Sequence, residues 1–152
     1  KAHVKHTSGG DFRQATFRAL RQGIEKSTNI LLEPYYDFKI TVTQELSGKI
    51  ITDITKMNGT LYQPISNGIN TTISGKVPVS SSMYYPAELA SFSKGKGTIS
   101  LTFSGYDICH NQDSIIKHFN YNKDNDLEYT SNSIYCSHGK TYSVLGKDIE
   151  KR

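Results

Sequence analysis

Between Tyr35 and Ser104 the apolar residues switch repeatedly between a period of two and a period of about 3.6, and that succession constrains the fold more than any other feature of the chain. Phe38, Ile40 and Val42 alternate with Lys39, Thr41 and Thr43, the pattern of a half-buried strand. Leu46, Ile50, Ile51, Ile54 and Met57 then recur at helical spacing, and Asn58-Gly59 supplies residue types that tolerate the left-handed geometry closing a helix. Two strand patterns, Leu61 to Ile65 and Ile69 to Val79, flank the hairpin signal Ser66-Asn67-Gly68. Pro86 suits the first residue of a short helix reaching about Phe92, which Lys94-Gly95-Lys96-Gly97 breaks. Ile99, Leu101 and Phe103 alternate with Ser100, Thr102 and Ser104 in a last strand. Strand, helix, strand, strand, helix, strand is the ferredoxin-like βαββαβ plan, an α+β sandwich of a four-stranded antiparallel sheet with two helices on one face. At about 70 residues such a unit buries roughly 60% of its unfolded surface, so alone it is marginally stable.

A long helix precedes this unit. From Asp11 to Lys26 a helical period puts Phe12, Ala15, Thr16, Ala19, Leu20, Gly23 and Ile24 on one face and Gln14, Arg18, Arg21 and Glu25 opposite. The expectation is a helix packed by its apolar side and displaying arginine on the other. Asp11 is expected to be the N-cap after the turn Ser8-Gly9-Gly10. No Lys-Ser or Lys-Thr follows these glycines, so they make no P-loop. Pro34 forbids helical geometry at Glu33. Ala2 and Val4 alternate with Lys1, His3 and Lys5, as at the end of a strand whose partners lie upstream.

The run Leu31-Leu32-Glu33-Pro34-Tyr35 after a long helix resembles the junction between the fourth and fifth domains of the elongation factor G family, which includes the tetracycline-resistance ribosomal protection proteins. The string from Lys5 to Ala15 resembles the protection-protein-like factors of Gram-positive bacteria, and Lys94-Gly95-Lys96-Gly97-Thr98 stands where the family has a Gly-basic-Gly turn. The resemblance covers nearly the whole chain, though only the rear of such a factor. It implies that residues 1–33 are the end of domain four, a helix left from a partial α/β domain, and that residues 34–106 are the ferredoxin-like domain five. Residues 107–152 form an extension that departs from elongation factor G proper and resembles the tail of the Gram-positive subgroup. It further implies a ribosome-binding, non-catalytic piece of a GTP hydrolase, touching ribosomal RNA and proteins. GTP and magnesium would be held by a domain outside these residues, and no cofactor by this stretch.

Charge agrees with a polyanionic partner. The net charge of the 152 residues is +4, distributed as +3 over residues 1–34 (six Lys and Arg against three Asp and Glu), +2 over 35–106 (six against four) and −1 over 107–152 (six against seven). RNA-recognition motifs built on the same plan stack bases on aromatics of the open sheet face. Here that face is expected to carry Lys39, Thr41, Thr43, Thr72, Ser74, Lys76, Ser100, Thr102 and Ser104, with no aromatic. Contact with folded RNA through Lys94, Lys96, Arg18 and Arg21 is the expected mode, with neither DNA nor a membrane as partner. No apolar run approaches the roughly 20 residues needed to cross a bilayer, and no signal-peptide core opens the sequence, so a soluble cytoplasmic chain is expected.

Two further readings compete. Cys109-His110 and Cys136-Ser137-His138 offer two thiols and two imidazoles, a set from which Cys109, Cys136 and His138 could hold zinc, and a small zinc-binding domain would gain folding energy that way. Adjacent Cys109 and His110 do not readily turn to one ion, and a buried thiol pair packing the tail is the simpler use. The other alternative is a free-standing ferredoxin-like regulatory or protein-binding module. Asp124, Asp126 and Glu128 lack the spacing of a calcium loop and read as a solvated linker.

Overall fold

The computed structural model describes residues 8–151. The strand end expected over residues 1–7 lies outside them. Two compact units result, residues 30–112 and residues 1–29 with 113–152.

In the first unit β1 (Leu32–Thr43) is the spine. It pairs antiparallel with β4 (Asn70–Pro78), from Tyr35 opposite Pro78 to Thr43 opposite Asn70, and with β5 (Thr98–Ile108), from Leu32 opposite Ile108 to Thr41 opposite Thr98. Phe38, Ile40 and Val42 of β1 and Ile73 and Val77 of β4 are buried together with Ile50 and Ile54 of α2 (Ser47–Lys56) and Tyr85 and Leu89 of α4 (Tyr85–Phe92). Both helices therefore cover one face of an antiparallel sheet, and the fold is the expected α+β ferredoxin-like sandwich. Each fully buried aliphatic side chain contributes roughly 2 kcal/mol.

Local departures have local causes. The second strand is broken into β2 (Thr60–Leu61) and β3 (Ile65–Ser66), both pairing with β4, because Pro64 has no N–H to give a ladder. A short helix absent from the pattern, α3 (Val79–Ser82), precedes α4 and is tied back by the Ser82 hydroxyl donating to the Pro78 carbonyl at 2.8 Å. β1 runs straight through Pro34, because β4 joins only from Tyr35 and β1 has a single neighbour there. β5 continues to Ile108 by way of a bulge: Tyr36 faces Phe103 and Tyr35 faces Gly105, leaving Ser104 without a partner on β1. Gly105 turns the chain there at φ +110°. One expectation fails beside it: Phe103, expected inside, is 58% exposed with its ring edge-on to Tyr106.

In the second unit α1 spans Gly9–Lys26. Ser8, not Asp11, is its N-cap. Asp11 stands three residues later and accepts from the Ser8 N–H at 2.7 Å, which is the reciprocal half of a capping box. The tail that packs on α1 contains the hairpin of β6 (Ser133–Ser137) and β7 (Lys140–Val144), turned by His138 and Gly139 at φ +52° and +74°.

The faces of α1 are used in the opposite sense to that expected. Its half-buried residues are Arg18, Arg21, Gln22 and Glu25, while Phe12, Leu20 and Ile24 are 63%, 60% and 50% exposed. The tail brings carbonyls and hydroxyls, so the polar face has complementary partners. Arg21 donates to the Thr130 carbonyl at 3.2 Å and lies 5.3 Å over the Tyr129 ring. Gln22 donates to the Ser131 carbonyl at 2.9 Å, and Glu25 accepts from the Ser131 hydroxyl and pairs with Lys123 at 3.2 Å.

Candidate nucleic-acid interface

The Lys94–Lys96 turn is built by the end of α4. Ser93 caps the helix, Lys94 takes the left-handed position after it at φ +53°, and the Gly95 N–H reaches back to the Ala90 carbonyl at 2.9 Å. Gly95 is also left-handed, at φ +75°. The buried Ser93 hydroxyl then accepts from the Gly97 N–H at 3.0 Å, which starts β5. Both lysine side chains are exposed on a closed, hydrogen-bonded loop. A non-glycine residue at the left-handed position costs about 1 kcal/mol, which a glycine would avoid.

The four basic residues singled out in the sequence fall two and two. Lys94 and Lys96 belong to the unit of residues 30–112, Arg18 and Arg21 to the other, where the tail half-buries them. A cleft of about 320 Å³ beside Arg21 is lined by Glu25, Asn29, Tyr121, Lys123 and Tyr129. Its polar groups already serve one another. Tyr121 donates to Asp126 at 2.7 Å, Asn29 to the Ile24 carbonyl at 3.0 Å, and the Ser131 hydroxyl together with Lys123 holds the Glu25 carboxyl below its usual range against the opposing effect of burial.

Because the tail supplies the partners of this helix face, cutting the chain after Phe119 is expected to speed hydrogen exchange along α1 on the order of tenfold, since an isolated helix of this length is marginal. Unchanged exchange would mean that the tail does not hold the helix.

The cysteines do not behave as a pair. Cys109 is buried beyond the end of β5 and donates to Asn111, whereas Cys136 is exposed on β6, and both are free thiols. The buried thiol pair is therefore corrected. Cys109 belongs to one unit and Cys136 and His138 to the other, and among the described residues no three His, Cys, Asp or Glu side chains converge as a metal site would require.

Sequence reasoning missed a polar knot instead. Glu33 is only 8% exposed, and its carboxylate accepts from the His110 backbone N–H at 2.8 Å, from the His110 imidazole and from the Ser80 hydroxyl at 3.2 Å. Burial pushes this carboxyl up, but the His110 and Ser80 bonds outweigh it and hold it below the usual carboxylate range. The knot fastens the start of β1, the end of β5 and α3 together. No periodicity marks such a contact, since its members lie 47 and 77 residues apart.

The comparisons follow these boundaries. The family model described as Elongation factor G C-terminus matches residues 30–115. The tetracycline resistance protein TetP of Clostridium perfringens is 32% identical over 96 residues, which are 63% of this chain and 15% of that protein. Elongation factor G of Dehalococcoides mccartyi is 32% identical over 104 residues, 68% of this chain and 15% of its own length. A crystal structure from Thermus thermophilus shares the fold at a TM-score of 0.53 and 24% identity, covering 61% of this chain and 14% of that one. The chain thus spans about 15% of the length of the curated relatives it matches. Because the match takes in more than half of the sequence and runs over the whole of the βαββαβ unit, this chain belongs to the elongation factor G C-terminus family of translation factors.

Proposed function

We propose that this chain is the ribosome-binding rear of a translational GTPase, and that its Lys94–Lys96 turn contacts ribosomal RNA. The supporting observation is the turn itself: two exposed lysines on a loop fixed by backbone bonds, with Lys94 holding a left-handed position that glycine would occupy more cheaply. Residues 34–106 are the fifth domain on this reading and residues 1–33 the end of the fourth. The exposed Phe12, Leu20 and Ile24 of α1 fit cover by the remainder of domain four. Residues 107–152 are the extension, which braces α1 from its polar side. Arg21, held by the Thr130 carbonyl and the Tyr129 ring, and Arg18, half-buried one turn before it, contribute less to RNA contact than the two exposed lysines.

GTP hydrolysis and magnesium binding belong to a domain of the whole protein outside these residues. Ribosomal protection against tetracycline is proposed for the whole protein from the likeness to TetP. The site of action is the cytoplasm, where ribosomes work, and no helix among the described residues is long and apolar enough to cross a membrane.

Pelleting of the chain with bacterial ribosomes across a salt series tests this. Replacing both Lys94 and Lys96 with alanine is expected to weaken binding on the order of tenfold and to lower the slope of log affinity against log salt by about 2, as for two lost phosphate contacts. An Arg18→Ala/Arg21→Ala variant should change the slope less. Unaltered pelleting of the double lysine variant would sink the assignment.

A further inference from the structure

A second cleft, of about 630 Å³, runs along α1 from Asp11 to Gln22, with Ala15, Arg18 and Ala19 on the helix wall and Ser133, Ile134 and Tyr135 of β6 on the other. At the rise of a helix that length is about 16 Å, room for about five extended residues. Successive strand residues point to opposite faces, so a cleft bordered by three in a row meets the strand at its edge. That edge is the unpaired one. The hairpin turns in two residues, His138 and Gly139, so Ser137 and Lys140 exchange the hydrogen bonds that close it, and by alternation so do Tyr135 with Tyr142 and Ser133 with Val144. Ile134 therefore turns its N–H and carbonyl outward, and among the described residues β6 has no strand on that side. The same cleft holds an arginine with nothing to bind. The Arg18 Nε is closed off from solvent and has no hydrogen-bond partner, in contrast to Arg21 with its Thr130 carbonyl. Asp11, the one carboxylate along the cleft, is already taken by the Ser8 N–H and hydroxyl at 2.7 and 3.0 Å.

We infer that this cleft is a docking site for an extended segment of another protein that carries a carboxylate, added to β6 as a strand with its acid on Arg18. The two unused features of the cleft call for the two halves of such a ligand. A free strand edge offers main-chain hydrogen bonds to an extended segment, and a guanidinium selects the segment that brings a carboxylate. The carboxylate accepts from Nε and an outer nitrogen side by side, drawing the guanidinium into the cleft and giving Nε the acceptor it lacks. A nucleic acid or a free phosphate would leave the Ile134 N–H and carbonyl unmatched, since neither alternates donors and acceptors at strand spacing. A basic segment would set like charge against Arg18. An Asp or Glu side chain and a chain's own C-terminus present the same carboxylate. The cleft lies in the unit of α1 and the tail, and it stands whether or not the Lys94–Lys96 turn of the other unit touches RNA.

The test titrates a pool of acetylated pentapeptide amides, with Asp or Glu at the centre and Val, Ile, Thr or Tyr elsewhere, into the isotope-labelled full chain. Saturable shifts are expected at the Ile134 and Cys136 amides and at the Arg18 Nε–H, and not along β7. A pool with Asn or Gln at the centre should bind about tenfold more weakly. Arg18→Gln, which has no hydrogen bond to lose, should abolish that preference while leaving the spectrum of the free chain otherwise in place. A third pool, neutral at the centre and ending in a free carboxylate, separates the two sources of the acid: tighter binding than the first pool assigns the site to a C-terminus, weaker binding to an acidic side chain. No saturable shift with either acid pool, equal affinity for the acid and amide pools, a preference that survives in Arg18→Gln, or shifts confined to β7 would overturn the inference.

Discussion

Replacing Glu33 with alanine is expected to cost about 3 kcal/mol of unfolding free energy, although Ser80 and His110, which it ties down, lie 47 and 77 residues away. The loss is not that of one ion pair. Three donors on two other segments, the His110 N–H, the His110 imidazole and the Ser80 hydroxyl, would be left in a site only 8% exposed in the parent. Glu33→Gln keeps an oxygen for the backbone N–H and should cost about half as much. The sign of the pH dependence follows from the direction of the shift. The folded carboxyl is held below its unfolded value, so its stabilisation is full above about pH 4.3 and drains away as the pH falls through the lower folded value. Urea midpoints measured from neutral pH down through that window should fall more steeply in the parent than in Glu33→Gln. An alanine variant within about 0.5 kcal/mol of the parent, the range of an ordinary surface change, would show that the knot holds nothing.

The elements of the fold were legible where burial follows a period. Phe38, Ile40 and Val42 alternate because β1 lies under two helices along that stretch, and Ile50 and Ile54 recur because α2 covers it. Legibility failed where the outcome depended on a neighbour in space. Nothing local distinguishes Phe103 from Leu101, yet the bulge at Ser104 and Gly105 leaves Phe103 beyond the covered part of the sheet. The apolar stripe of α1 is legible as a stripe, but its pattern does not announce that the tail packs on the polar face, because hydrogen-bond partners 109 residues away decide the packing of Arg21 and Gln22.

The candidate surface divides the same way. Lys94-Gly95-Lys96-Gly97 announces a turn through its glycines, and the turn is there. The cysteine and histidine set was a matter of spacing alone, and spacing does not carry Cys109 and Cys136 into one unit. His110, weighed as a metal ligand, is instead engaged by Glu33.

Gly75→Ala is the second substitution expected to cost about 3 kcal/mol, and it separates the stability of the sheet from the surface at its other side. A Cβ on Gly75 would lie 1.9 Å from the Thr60 carbonyl oxygen and 2.9 Å from its carbon. Both atoms are backbone, so no side chain can swing aside. Gly75 sits in β4 between Leu61 of β2 and Phe38 of β1, and β1 is locked in place by β5 beyond it. The strain therefore falls on β2, which has two ladder pairs to lose together with the bond from the Tyr62 N–H to the Ser74 carbonyl at 2.8 Å. Such a close approach is one of the reasons a glycine appears inside a strand, and the alternation of its neighbours conceals it. The variant should show a lowered urea midpoint and faster exchange of the Tyr62 amide. Because β2 and β5 lie at opposite edges of the sheet, the fraction still folded in the cold should pellet with ribosomes at the parent's salt slope, the Lys94–Lys96 turn being untouched. A Gly75→Ala chain as stable as the parent would mean that β2 does not approach β4 at this distance. Loss of pelleting without loss of stability would move the ribosome contact to the β2 edge.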